Sequence, residues 1–209
     1  DTALEHLRVI RGLMEKAMVY RAVTVPTALF GGLLAVVTAT ILFIVDSQLS
    51  SAVVASIWLC VFLVVNAFHH GLIFRTSQRE GERYLSTGFN MAMKAILPAM
   101  FVGGVVGLAL AFGPLQDIVG TSLAWATFYG LALMATSGFS PRSLRVLGLG
   151  FTLTGSILLG VHWWQAEGIT LSSPPRTSAI IMGMTFGVFH LVYGLCVRST
   201  QRSSSSTQF

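Results

Sequence analysis

Acid is scarce in this chain: of 209 residues, eight are Asp or Glu, and Asp1, Glu5, Glu15, Asp46, Glu80, Glu82, Asp117 and Glu167 all stand at termini, in loops or at the ends of apolar stretches. Carriers coupled to protons or cations normally place ionisable residues inside their spans, and a two-carboxylate enzyme needs its pair of acids in one site. A carrier built on an intramembrane carboxylate, a two-carboxylate enzyme and an intramembrane aspartyl protease are all disfavoured on this ground. Cysteine is scarce too, with Cys60 and Cys196 at different depths of two apolar stretches. That placement disfavours a disulfide and reads as small apolar packing. No phosphate-cradling glycine loop, CxxC, HExxH, GxSxG or EF-hand pattern occurs, so enzymatic activity has little support.

Charge as a whole is thin, at 10% of residues against a hydrophobic share of 54% and a mean hydropathy of +0.75. Soluble domains carry about 25% charged residues, so a water-soluble reading is set aside. The gaps between charges carry the signal. Residues 22–45, 47–74, 95–116, 118–141, 146–166 and 177–197 contain no Asp, Glu, Lys or Arg. A helix rises about 1.5 Å per residue, so roughly 20 apolar residues cross a hydrocarbon core about 30 Å thick. The expectation is an all-α, polytopic bundle of six transmembrane helices over residues 21–198, forming one membrane domain.

If each gap is one crossing, Arg8, Arg11, Lys16, Arg21, Arg75, Arg79, Arg83, Lys94, Arg142, Arg145, Arg198 and Arg202 face one side, and Arg176 alone faces the other. Short-loop Lys and Arg stay cytoplasmic, which predicts both termini inside. Attraction to anionic head groups accounts for the net charge of +5 without a nucleic-acid partner.

Leu4, Leu7, Ile10, Met14, Ala17 and Met18 recur at helical spacing, which predicts an N-terminal amphipathic interfacial helix over residues 1–20. This charged, periodic start is not expected to be a cleavable signal, and the missing initiator Met is expected of a trimmed or processed chain. Pro26 reads as a helix start. The charged run from Arg75 to Lys94 is expected to form the longest connection, and the uncharged stretch before it should tilt or protrude. Trp163 and Trp164 read as interface anchors. Residues 199–209 have the composition of a disordered tail.

Histidines are the remaining candidates for chemistry. Gly183, Gly187, His190 and Gly194 are spaced by four, three and four residues and fall on one helical stripe. In one reading, His190 and either His69 or His70 are axial ligands of a b-type haem between spans two and six. In the other, Gly183 and Gly187 are a packing site and His190 hydrogen-bonds to a neighbouring helix, with Asn66 or Ser56 as partners. Gly103 and Gly107 form a second small-xxx-small pair. Asn66 and His190 are also the polar intramembrane candidates for a pore lining. No metal site is expected, and His162 lies at the wrong edge to support a second haem.

The run FYGLALMATSGFSPRSLRVLGLGFTLTGSILL at 128–159, with RGLMEKA near the start and GVFHLVYG in the last stretch, resembles a group of uncharacterised bacterial six-helix membrane proteins. The resemblance implies a bacterial inner membrane and a six-span layout, and brings no activity or site residues. Three functions follow as expectations. The first is a non-catalytic scaffold or accessory subunit of a larger membrane complex, with other membrane subunits or a homo-oligomer as partners. The second is a small channel or carrier for a neutral solute. The third is a b-haem or quinone-associated electron-transfer subunit.

Overall fold

The computed structural model describes residues 25–45, 49–80, 87–138, 140–165, 168–169, 171 and 173–206. The expected interfacial helix over residues 1–20 lies outside them. Among the described residues there is no strand, and six helices are long and apolar enough to cross a membrane. They are α1 (Val25–Val45), α2 (Ser51–Glu80), α3 (Thr87–Phe112), α4 (Ile118–Ala135), α5 (Arg142–Trp164) and a sixth span. This last is composite: α6 (Pro174–Met182) runs through a π-helical segment, Gly183–Phe189, into α7 (His190–Ser206).

Lipid offers no hydrogen bonds to the backbone, so Val, Ile and Phe-rich segments that would favour strands in water close their bonds as helices here. Local chemistry sets the ends. Asp117 caps α4 by accepting from the Gly120 N–H at 2.8 Å, and Ser173 caps α6, where Pro174 and Pro175 occupy the first turn without needing N–H partners. The run expected to connect residues 75 and 94 is mostly helical, because α2 continues to Glu80 and α3 begins at Thr87. Charged residues do not stop a helix once it has left the hydrocarbon, and so α2 continues past Arg75. For the same reason α7 passes Arg198 and runs to Ser206.

The fourth helix is the axis of the bundle: 61% of its span is buried, against 17–33% for the others. One half of the core gathers Ala35, Leu42, Val54, Trp58, Leu123 and Met182, and the other gathers Leu133, Leu144, Leu147, Phe151 and Tyr193. Every span also turns large apolar side chains outward, Ile44, Leu63, Phe101, Leu131, Val146 and Val192 among them. In water such a surface would be a liability; in a bilayer it is the lipid face. Since lipid tails are as apolar as the core, contact between helices depends on close fit and on polar pairs.

Candidate functional site

Glycines set how closely the helices approach. A Cβ on Gly103 would lie 2.4 Å from Phe128, and one on Gly107 would lie 1.9 Å from the Trp125 ring, so this pair seats two aromatic side chains of α4 against α3. Gly183 meets Ala39, Gly187 meets Val36, and Gly194 meets Leu29, which places the sixth span's glycines on α1. Two further contacts are made against backbone as well as side chain and were not singled out in the sequence. Added Cβ atoms on Gly130 and Gly155 would lie 2.5 Å from the Thr152 N and 2.7 Å from the Thr127 N, so α4 and α5 meet backbone to backbone.

His190 does not share the glycine stripe's partner. Its ring reaches α4 and α5, with centroids 5.5 Å from Tyr129 and 5.3 Å from Phe151, inside a box completed by Phe186 and Phe189. A wheel drawn at a uniform 100° per residue does not hold through a π segment. That segment also explains the histidine's hydrogen bonds. The His190 backbone N–H bonds to the Gly187 carbonyl, and its side-chain Nδ1 lies 3.0 Å from the Phe186 carbonyl. A carbonyl only accepts, so Nδ1 carries the hydrogen; in the neutral ring Nε2 then accepts from the Tyr129 hydroxyl at 2.8 Å. Both ring nitrogens are engaged, whereas an axial haem ligand needs a lone pair on one of them.

His69 lies elsewhere. Its Nδ1 is 3.2 Å from Thr27 Oγ1 of α1, beside a stack of Phe30 on Phe68 at 4.3 Å, and its ring is 5.7 Å from that of His70. Helix α1 turns Thr27, Phe30 and Gly31 to α2, and Leu29, Gly32 and Val36 to the sixth span. The first helix is thus wedged between the two, and His69 and His190 are not brought together. Asn66 joins neither: its amide donates to the Phe62 carbonyl of its own helix at 2.8 Å. Ser56 likewise donates to Ala52, at 2.8 Å.

The buried hydroxyls close on themselves in the same way. Ser122 donates to the Ile118 carbonyl at 2.9 Å, which uses its one hydrogen, so Ser178 of α6 donates to Ser122 across 2.7 Å. Thr121 reaches the Asp117 and Gly107 carbonyls, and Thr185 reaches Ile181. Among the described residues, one buried side-chain polar atom, Trp58 Nε1, has no hydrogen-bond partner. Among the described residues no group of three or more His, Cys, Asp or Glu could hold a metal. A shallow, open groove of about 510 Å³ lies on the outside of α1 and α2, lined by Leu34, Val53, Ser56, Cys60 and Val64.

The densest polar constellation was missed in the sequence and lies at the end of the bundle where α3, α5 and the α4 cap meet. His162 Nε2 is 2.9 Å from Asp117 Oδ2, and its Nδ1 accepts from the Ile169 N–H at 2.9 Å. The second bond fixes the tautomer, so Nε2 donates to Asp117. Gly168, at φ +67°, brings its backbone against the imidazole, where a Cβ would lie 2.6 Å from Cε1. Ser51 donates to the Gln116 carbonyl in the neighbouring turn, and Arg176 donates to the Phe43 carbonyl at 3.1 Å while lying over the Phe43 ring at 5.3 Å. This constellation latches loops together: Nδ1 holds the Ile169 N–H and Nε2 holds the Asp117 carboxylate. Asp117 immediately before an apolar run was a legible cap signal, whereas its pairing with His162 across 45 positions was not. No family model, curated protein or solved structure matches the chain.

Proposed function

We propose that this protein is a non-catalytic membrane scaffold or accessory subunit of a larger membrane assembly, held in a bacterial inner membrane with both termini cytoplasmic. The observation that carries the reading is the fate of the polar side chains at membrane depth. Ser122 and Ser178 satisfy each other, Asn66 and Thr185 bond to their own helices, and His190 bonds to Tyr129 and Phe186. A pore or a carrier needs polar groups facing a passage. These groups are instead satisfied within a helix or between helices, and the groove on α1 and α2 faces outward and is apolar. A rigid body whose lipid-facing surface is apolar on every span suits a part that others pack against.

The test is extraction from the native membrane in a mild detergent, followed by light scattering and mass spectrometry of the particle. A particle holding this chain with other polypeptides is the expected result. A particle of this chain alone, together with solute flux in liposomes that responds to Asn66→Leu, overturns the reading in favour of a carrier. A Soret band in the pure protein that is lost in His190→Ala overturns it in favour of haem-dependent electron transfer.

A further inference from the structure

The consecutive antiparallel spans bring the ends of α2, α3, α5 and α7 that carry Arg75, Lys94, Arg142 and Arg198 to one side of the bundle. All four side chains are exposed, and none has an ion pair or hydrogen bond to a described residue. Arg145, beside them, gives one guanidinium N–H to the Ser137 carbonyl at 2.8 Å. The opposite end is different: there Asp117 is bonded to His162, and Arg176 to Phe43. Among the residues whose side chains are described, the charges without an ion pair or hydrogen bond are thus the cations Arg75, Lys94, Arg142 and Arg198, on one side.

Depth identifies what these cations meet. At 1.5 Å per residue, Arg75 lies about 36 Å along its helix from Ser51, Lys94 about 27 Å from Phe112, Arg142 about 33 Å from Trp164 and Arg198 about 36 Å from Pro174. A hydrocarbon core is about 30 Å thick, so all four stand near its boundary rather than out in water, with their flexible stems able to adjust the fit. Beside each cation, or one turn deeper, is an exposed apolar side chain: Phe74 at Arg75, Leu97 for Lys94, Val146 for Arg142 and Leu195 for Arg198. A ligand that fits must present an anion and a hydrocarbon tail together.

We infer that this collar of Arg75, Lys94, Arg142 and Arg198 binds the phosphate head groups of anionic phospholipids, with the acyl chains lying on the adjoining apolar side chains. A basic residue near a membrane surface strengthens attraction to anionic lipid by about fivefold. Guanidinium groups add bidentate bonds to phosphate oxygens.

The experiment uses the full chain in neutral detergent with equal amounts of phosphatidylglycerol and phosphatidylcholine, and native mass spectrometry to count the lipids retained. The expected result is several-fold enrichment of phosphatidylglycerol, falling to parity in the fourfold variant Arg75→Gln, Lys94→Gln, Arg142→Gln, Arg198→Gln, and weakening as salt rises from about 0.1 to 1 M. Should the fourfold variant lose its helical circular dichroism, the single variants Arg142→Gln and Arg198→Gln replace it, each lowering the enrichment by a few-fold. Parity in the unsubstituted protein overturns the inference, as does enrichment that the substitutions leave unchanged. Parity accompanied by a retained acidic polypeptide overturns it as well, and assigns the collar to that partner.

Discussion

The bond between Tyr129 and His190 ties α4 to the sixth span, and its energy can be isolated. Tyr129→Phe removes the hydroxyl that donates to Nε2 across 2.8 Å and keeps a phenyl ring in the box, where Tyr129 now packs 4.9 Å from Phe151 and 5.1 Å from Phe186. The loss is then mainly one half-buried bond with its acceptor left behind, a change of about 1–2 kcal/mol. His190→Leu strips the Phe186 carbonyl of its side-chain donor and Tyr129 of its acceptor, and opens space among aromatic rings, so about 2–3 kcal/mol is expected. If the bond is real, the double variant should cost less than the sum. Hydrogen bonds between membrane helices couple by about 0.6 kcal/mol on average and up to about 1.7, and a bond with this geometry should fall near 1 kcal/mol. The assay is unfolding by dodecyl sulfate in mixed micelles, followed by tryptophan fluorescence, on all four proteins. Strict additivity, with a coupling below about 0.3 kcal/mol, would refute the argument that His190 is a helix-locking residue.

Three further outcomes follow from the geometry. Gly155→Leu should break the α4–α5 contact, costing about 3 kcal/mol or more in the same assay, because its Cβ would meet the Thr127 backbone N at 2.7 Å. Asp117→Ala removes both the α4 cap and the acceptor for His162, and about 2–4 kcal/mol is expected; Asp117→Asn, which retains a capping oxygen, should cost less, and the order of the two tests the latch. Trp58→Phe discards an indole N–H that is buried without a partner, so unfolding should stay within about 1 kcal/mol of the parent or shift toward greater stability.

The spans were legible in the sequence because charge is excluded from hydrocarbon, and that rule needs no knowledge of neighbours. Their ends were less so: Arg75–Glu80 remain helical in α2, since the rule marks where lipid ends and not where hydrogen bonding ends. Gly103, Gly107, Gly183, Gly187 and Gly194 were legible as packing residues, as small side chains admit a neighbouring helix whichever helix it is. The partner was not. The π-helical segment Gly183–Phe189 leaves no mark in a pattern of apolar residues, and His190 directly after it bonds to Tyr129 and Phe186. A wheel that assumes uniform winding therefore set a histidine beside the wrong helix.

The position of α4 at the centre has a cause that apolar periodicity cannot reveal. In water, a buried face is recognised by contrast with a polar one; in lipid both faces are apolar and the contrast vanishes. What remains is size. Nine of the eighteen residues of α4 (Gly120, Thr121, Ser122, Ala124, Ala126, Thr127, Gly130, Ala132 and Ala135) are Gly, Ala, Ser or Thr. Such a helix is thin, so neighbours can surround it, and its hydroxyls can bond to the backbone or across to α6 without holding water. Phe101, Val105 and Leu108 of α3, by contrast, are bulky and exposed, as suits a lipid-facing helix. The same logic ranks the faces open to a partner. α2 and α3, whose spans are only 17% and 22% buried, offer the most uncovered helical surface, so a crosslinker placed on α2 or α3 should capture an assembly partner more often than one placed on α4.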